Sequence, residues 1–207
     1  MVVAVFFYLC GAFLVGSVPT AYLAGKLVKK VDIREYGSGN VGATNAFRTL
    51  GAVPGFTVLI IDFAKGFLAV TLLYGATKFS PFDGVGFLKI AFGIAVIAGH
   101  IFSVFLGFRA GKGVATWLGA LFGINWPLFM VAAGILVVVI GFTRYMSLAS
   151  LAGAFLVFVL TLPLYGVSPI FLFSLAAFVF IFVSHRKNIE YLLEGSETKL
   201  FQKRSPT

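Results

Sequence analysis

The chain has 207 residues, 60% of them hydrophobic and 11% charged, with a mean hydropathy of +1.04 and a formal net charge of +9. Soluble domains carry about 25% charged residues, so a water-soluble globular fold is excluded and an integral membrane protein is implied. The positive charge does not indicate nucleic acid, because basic residues gathered in cytoplasmic loops are what membrane topology itself produces.

Residues 2–25 read as a first span. Gly16-Ser17-Val18-Pro19 lies in its second half, where small residues favour close helix packing and the proline favours a kink. The first apolar run has no basic n-region, so it does not read as a secretory signal. Cys10 is the single cysteine, which excludes an internal disulfide. With only His100 and His185 beside it, no metal site is expected.

Lys26, Lys29 and Lys30 end that span and open a polar loop over residues 26–52. Within it runs Tyr36-Gly37-Ser38-Gly39-Asn40-Val41-Gly42-Ala43-Thr44-Asn45, with Arg48 one turn later. Three glycines in six residues let backbone N–H groups approach a ligand closely. Ser38, Asn40, Thr44 and Asn45 add neutral hydrogen-bonding groups, and Arg48 adds a fixed charge. A glycine turn feeding a helix N-terminus is a phosphate cradle.

Residues 53–75 form a second span carrying Asp62 and Lys65, whose i,i+3 spacing puts them on one face, able to pair. Ionisable groups within a span face the protein interior, and this pair is assigned a structural role. Residues 76–86 are a short connection. Residues 87–106 form a third span with His100 near its end, read as a packed or capping side chain before a catalyst. A second glycine loop follows at residues 107–113, Arg109-Ala110-Gly111-Lys112-Gly113 being its core.

Residues 114–141 are apolar with Asn125-Trp126-Pro127 in the middle. As one helix they would run about 42 Å, too long to cross without steep tilt. Charge decides for two. With seven spans, Lys26, Lys29, Lys30, Arg34, Arg48, Arg109, Lys112, Arg144, Arg186, Lys187, Lys199, Lys203 and Arg204 share one side, leaving Lys78 and Lys89 opposite and Lys65 within a span. Six spans would expel Arg144 and the basic tail. The expectation is an all-α integral membrane protein, one domain over residues 1–207. Its seven transmembrane helices lie near 2–25, 53–75, 87–106, 114–124, 127–141, 147–164 and 168–184. The N-terminus is outside, the C-terminus inside, and short helices lie near a cytoplasmic site.

Gly-x-Ser-x-Gly, His-x4-Asp and Gly-x4-Gly-Lys-[Ser/Thr] are all absent, so neither a serine hydrolase, a common acyltransferase box nor a P-loop ATPase is indicated. Two glycine loops, each with a cation, suggest two anionic groups held side by side, which is itself a large part of catalysis. A transporter for a small organic phosphate is the alternative. It is disfavoured because the polar residues cluster on one face.

Three stretches together resemble the bacterial acyl-phosphate-dependent glycerol-3-phosphate acyltransferases, the PlsY family. They are Gly37 to Asn45 with Arg48; Gly99-His100-Ile101-Phe102 through Phe108-Arg109-Ala110-Gly111-Lys112-Gly113-Val114-Ala115-Thr116; and His185-Arg186-Lys187-Asn188-Ile189 with Leu192, Gly195 and Glu197. The resemblance implies transfer of a fatty acyl group from acyl phosphate to the sn-1 hydroxyl of glycerol 3-phosphate. The products are lysophosphatidic acid and phosphate, formed at the bacterial inner membrane without cofactor or metal. Membrane lipid and the soluble enzyme that supplies acyl phosphate are the expected partners. It also implies that Gly111, Lys112, Gly113 and Thr116, with Arg48, bind glycerol phosphate. Ser38, Gly39, Asn40, Gly42, Thr44 and Asn45 are then left for the acyl phosphate, His185 and Asn188 lie at the reacting groups, and Glu197 is structural. Ser103, Ala110 and Tyr191 depart from the family's usual proline, glycine and arginine, and Ala110 bears on the backbone of the second loop.

Overall fold

The structure is a computed structural model and describes residues 2–73 and 85–200. Lys78, Asp83, Lys203 and Arg204 lie outside the described residues. Among the described residues the regular structure is helical: α1 (Val2–Ser17), α2 (Thr20–Val28), α3 (Ala43–Leu50), α4 (Ala52–Leu68), α5 (Val85–Ile101), α6 (Val114–Ile124), α7 (Trp126–Thr143), α8 (Met146–Tyr165), α9 (Pro169–Ser184) and α10 (Arg186–Leu193).

The first span breaks at Val18-Pro19, because proline has no N–H to continue the ladder. It then resumes as α2, so the apolar stretch reaches Val28 rather than ending at 25. The long polar loop contains α3, whose extent the sequence reading leaves out. Gly51, at φ +103°, separates α3 from α4 in a conformation that disfavours any side chain. The 114–141 stretch is two helices. Asn125 makes the break: its Oδ1 accepts from Leu128 N–H at 3.0 Å, and Pro127 lies in the first turn of α7.

Close packing is built from glycines. A Cβ on Gly66 would overlap the Thr116 carbonyl, and one on Gly119 would overlap that of Phe63, so α4 and α6 touch backbone to backbone. Gly16 and Gly99 do the same for α1 and α5 against Val96 and Phe13. In lipid, such close approach is what drives helices together. Ile97, Trp117, Leu121, Phe173 and Ile181 fill the centre between α5, α6 and α9.

Five helices are long and apolar enough to cross a membrane, or six if α9 and α10, bent by 62°, make one span. The expected seventh is α6, whose 11 residues reach only about 16 Å. Asn125 Nδ2 donates to the Tyr165 hydroxyl at 3.0 Å, tying the α6–α7 break to the end of α8. From that shared origin α7 runs 18 residues and α6 only 11, about 10 Å less. In the second glycine loop Gly111 and Gly113 are buried and Lys112 half-buried, while Gly107, Phe108 and Arg109 are exposed.

Candidate active site

The first loop is held by Asn45. Its Oδ1 accepts from Ser38 N–H at 3.0 Å, and its Nδ2 donates to the carbonyls of Ile33 at 3.1 Å and Tyr36 at 3.0 Å. A buried amide so engaged is a fastener, not a ligand. Asn45, expected at the acyl phosphate, thus spends its amide on the loop itself. Gly37 and Gly39 take φ values of +61° and +68°, and the loop ends in an uncapped helix start at Gly42-Ala43. Ser38 is exposed, while Asn40 and Thr44 are half-buried beside that start.

The second loop runs into α6 through Gly113, at φ +78°, again without a side-chain cap. Ala110 keeps an ordinary negative φ, so alanine in place of the family's glycine introduces no backbone strain there. A Cβ on Gly111 would meet the Val41 carbonyl at 2.7 Å, which shows that the two loops are in contact. Thr116, expected at the glycerol phosphate, is fully buried behind its loop, with Oγ1 3.2 Å from His100 Nδ1. Thr116 thus supports the loop from behind rather than lining it.

Lys112 joins this loop to the third motif. Its Nζ donates to Asn188 Oδ1 at 2.5 Å. Asn188 Nδ2 donates to both Glu197 oxygens, at 2.9 and 3.1 Å, and Ser147 Oγ donates to Glu197 Oε1 at 2.8 Å. Burial pushes the Lys112 ammonium down to about 8, against the pull of Glu197 and with the repulsion of Arg48. Arg48 is turned to the C-terminal strap, its Nη2 donating to the carbonyls of Thr198 at 2.9 Å and Lys199 at 3.2 Å. Leu200 N–H bonds the Arg144 carbonyl at 2.8 Å. The polar segments around residues 36–48, 107–113, 144–147 and 185–200 therefore meet at one end of the bundle.

His185 sits at the α9–α10 bend and is 2% exposed. Its Nδ1 lies 2.8 Å from the Ile181 carbonyl, which only accepts. In the neutral ring, Nδ1 therefore carries the proton and Nε2 keeps a lone pair. Burial first, and then the Lys112 charge, push the imidazole down to about 3, and among the described residues no carboxylate bonds the ring. Glu197 keeps its structural assignment, as anchor of the strap.

Asp62 and Lys65 pair at 2.8 Å, both buried, and Lys65 also donates to the carbonyls of Gly16 and Val18 at 3.3 and 2.9 Å. The pair thus fastens the α1–α2 break, where Ser103 Oγ further donates to the Ser17 carbonyl at 2.5 Å. Among the described residues no cluster of His, Cys, Asp and Glu suits a metal ion. Sequence reasoning missed Ser147, which bonds a carboxylate 50 positions away and has no local signal.

A helical membrane bundle in which a half-buried cation and two glycine loops converge at one end has the chemistry of an anion-handling membrane protein. Comparison with known proteins makes this specific. The glycerol-3-phosphate acyltransferase family matches residues 6–195. A glycerol-3-phosphate acyltransferase of Nostoc sp. is 42% identical, covering 94% of this chain and 93% of its own. One from Halalkalibacterium halodurans is 43% identical, covering 95% and 96%. The crystal structure of PlsY (YgiH), an integral membrane glycerol 3-phosphate acyltransferase, in its glycerol 3-phosphate form, superposes with a TM-score of 0.86 at 34% identity, covering 96% of this chain and 99% of that one. A lysophosphatidic acid form of the same enzyme gives 0.83 at 33%, covering 94% of each. The chain belongs to the glycerol-3-phosphate acyltransferase family, multi-pass membrane enzymes of phospholipid biosynthesis.

Proposed function

We propose that the acyl donor is acyl phosphate, and that the chain moves its acyl group to the sn-1 hydroxyl of glycerol 3-phosphate, releasing phosphate and lysophosphatidic acid. The observation that carries this is Lys112. A half-buried cation, in a glycine loop, touches Asn188 of the third motif while its loop abuts the first. Two phosphate cradles side by side suit two phosphorylated reactants. The second loop, Gly111 to Gly113, with Lys112 and Arg48, takes glycerol phosphate. The first, with Ser38, Gly39, Asn40, Gly42 and Thr44, takes the acyl phosphate, whose tail lies toward lipid.

The glycerol hydroxyl oxygen attacks the acyl carbonyl carbon, the acyl C–O bond to phosphorus breaks, and the hydroxyl proton passes to an oxygen of the departing phosphate. The substrate is thus its own base. His185 accepts a hydrogen bond from the hydroxyl at Nε2, and Asn188 fixes Lys112. The bond broken is already activated, so the scheme needs neither ATP nor metal. The polar end faces the cytosol of a bacterial inner membrane, in line with the positive-inside bias, and a soluble enzyme supplies the donor.

Purified protein in lipid, given glycerol 3-phosphate with acyl phosphate, acyl-CoA or acyl carrier protein, should form lysophosphatidate and phosphate with the first alone. Turnover with a thioester donor would refute the donor assignment. Uptake of glycerol phosphate into vesicles without turnover would point to a transporter. For topology, a cysteine at Lys203, with Cys10 replaced, should resist labelling from outside intact cells; labelling there would refute the inward C-terminus.

A further inference from the structure

His100 stands outside the Lys112–Asn188–Glu197 chain, yet its ring reaches the loop that carries it. The ring is 7% exposed. Its two nitrogens face different partners. Nδ1 lies 3.2 Å from Thr116 Oγ1 and 3.9 Å from Asp62 Oδ1, and that carboxylate is itself held by Lys65 at 2.8 Å. Nε2 faces Gly111: a Cβ there would overlap it, and would also crowd the Val41 carbonyl of the first loop. Gly111 N–H bonds the His100 carbonyl at 3.2 Å and Ala110 N–H that of Ile101 at 3.2 Å, so the loop folds back directly over the end of α5. Gly111 is thus fixed between an imidazole edge on one side and the first loop on the other.

We propose that His100 is a positioning residue for acyl transfer, its ring acting as the spacer that sets how deeply the second glycine loop seats against the first. The Nδ1 side is the anchored side, held by Thr116 and within reach of the Asp62–Lys65 pair. The Nε2 side is the working edge, which supports Gly111 and, one residue on, Lys112. Removing the ring lets the loop sink or tilt, which displaces the glycerol phosphate cradle and leaves the acyl phosphate cradle in place. This rests on the second loop being the glycerol phosphate cradle.

The test compares His100→Ala, His100→Asn and His100→Gln with wild type and Lys112→Ala, each reconstituted in lipid, measuring kcat and both KM values. An asparagine amide replaces Nδ1 and leaves the Gly111 side empty; a glutamine amide reaches the Nε2 position. The expected result is a KM for glycerol 3-phosphate raised about tenfold or more in His100→Ala and His100→Asn, within the roughly 100-fold that a misplacement of about 1 Å costs. His100→Gln stays within about threefold of wild type, and the KM for acyl phosphate holds within about twofold throughout. A core-filling role lowers the active fraction, hence kcat, and moves neither KM. That outcome, or an asparagine variant closer to wild type than the glutamine one, overturns the inference while Lys112→Ala still shows its KM defect. If Lys112→Ala also leaves the glycerol 3-phosphate KM unchanged, the cradle assignment fails and the inference falls with it. Should the alanine variant not fold, the ordering of asparagine and glutamine decides.

Discussion

Lys112 Nζ and Asn188 Oδ1 are 2.5 Å apart, although one residue lies in the loop before α6 and the other on α10. The bond uses the amide oxygen of Asn188, and the amide nitrogen is held by both Glu197 oxygens. One side chain therefore links the half-buried cation to the half-buried carboxylate at hydrogen-bond range. Lys112 is aimed by its partners, not by its own long stem.

If that aim serves a phosphate, Lys112→Ala should raise the KM for glycerol 3-phosphate by roughly 10- to 150-fold, the value of a charged hydrogen bond at about 1.5–3 kcal/mol. Lys112→Arg should recover part of it, since charge is kept but the forked geometry differs. Steady-state kinetics in lipid check this. An alanine variant with unchanged KM would remove Lys112 from the site.

The same burial predicts a pH dependence. Desolvation disfavours the ammonium and lowers Lys112 from 10.5 to about 8. The charge is present below that value and lost as pH rises through it. So kcat/KM for glycerol 3-phosphate, which reports the free enzyme, should fall as pH passes about 8. In Lys112→Arg that fall should vanish, because guanidinium stays charged. Profiles of both proteins decide it; an identical alkaline limb in the arginine variant would assign the titration elsewhere.

Glu197 accepts three hydrogen bonds, two from Asn188 and one from Ser147. Its truncation leaves the buried ends of that chain unpaired, so Glu197→Ala should destabilise by about 2 kcal/mol, and Ser147→Ala by about 1 kcal/mol. The double variant should cost less than the sum, since both act on one oxygen. Thermal unfolding in detergent measures all three. Equal costs for the two single variants would mean that the carboxylate does not anchor the strap.

The sequence carried the chemistry of this site better than its wiring. The two glycine loops were legible because their glycines and cations follow from what phosphate needs. The break at Asn125 was legible because a capping residue, a proline and the charge count all point to it. The loop-holding bonds of Asn45 and Thr116 were not legible, because a neutral polar side chain reads the same whether it faces a ligand or the loop behind it. The start of helix α3 was legible in the glycine turn that feeds it, but its extent was not, because its eight residues lie in a stretch rich in glycine and polar groups. The contacts of His100 with Gly111, and of Ser147 with Glu197, are tertiary and have no periodicity to betray them.

Asp62 and Lys65 supply a stability prediction with a built-in control. Removing one partner of a buried pair leaves an uncompensated charge and costs about 3–5 kcal/mol, whereas removing both is far milder. Asp62→Asn and Lys65→Met should each lower the melting temperature sharply. Lys65→Met should do so further through the lost bonds to Gly16 and Val18. The double variant should regain part of the loss. If it is no more stable than the worse single variant, the two residues do not act as a pair.

The remaining prediction concerns the proton. Either His185 takes it from the glycerol hydroxyl, or the acyl phosphate does. In the neutral ring, with Nδ1 donating to the Ile181 carbonyl, Nε2 has a lone pair that suits both an acceptor and a base. What differs is the support for a charged ring. A general-base histidine becomes an imidazolium, which enzymes of the triad type stabilise with a carboxylate at the other nitrogen. Here that nitrogen meets a backbone carbonyl, and burial first, then the Lys112 charge, oppose a second cation. The phosphate oxygens of the donor lie within ångströms of the carbonyl under attack and gain basicity as the bond breaks. His185→Gln should therefore fold and keep substantial turnover, with the loss concentrated in the KM for glycerol 3-phosphate. Loss of a true general base would cost roughly 100- to 10,000-fold in kcat. Steady-state kcat and KM of this variant beside wild type separate the two, and since burial pushes the His185 imidazole down to about 3, its lone pair is free across the working pH range. A collapse of kcat with normal KM would assign the proton to His185.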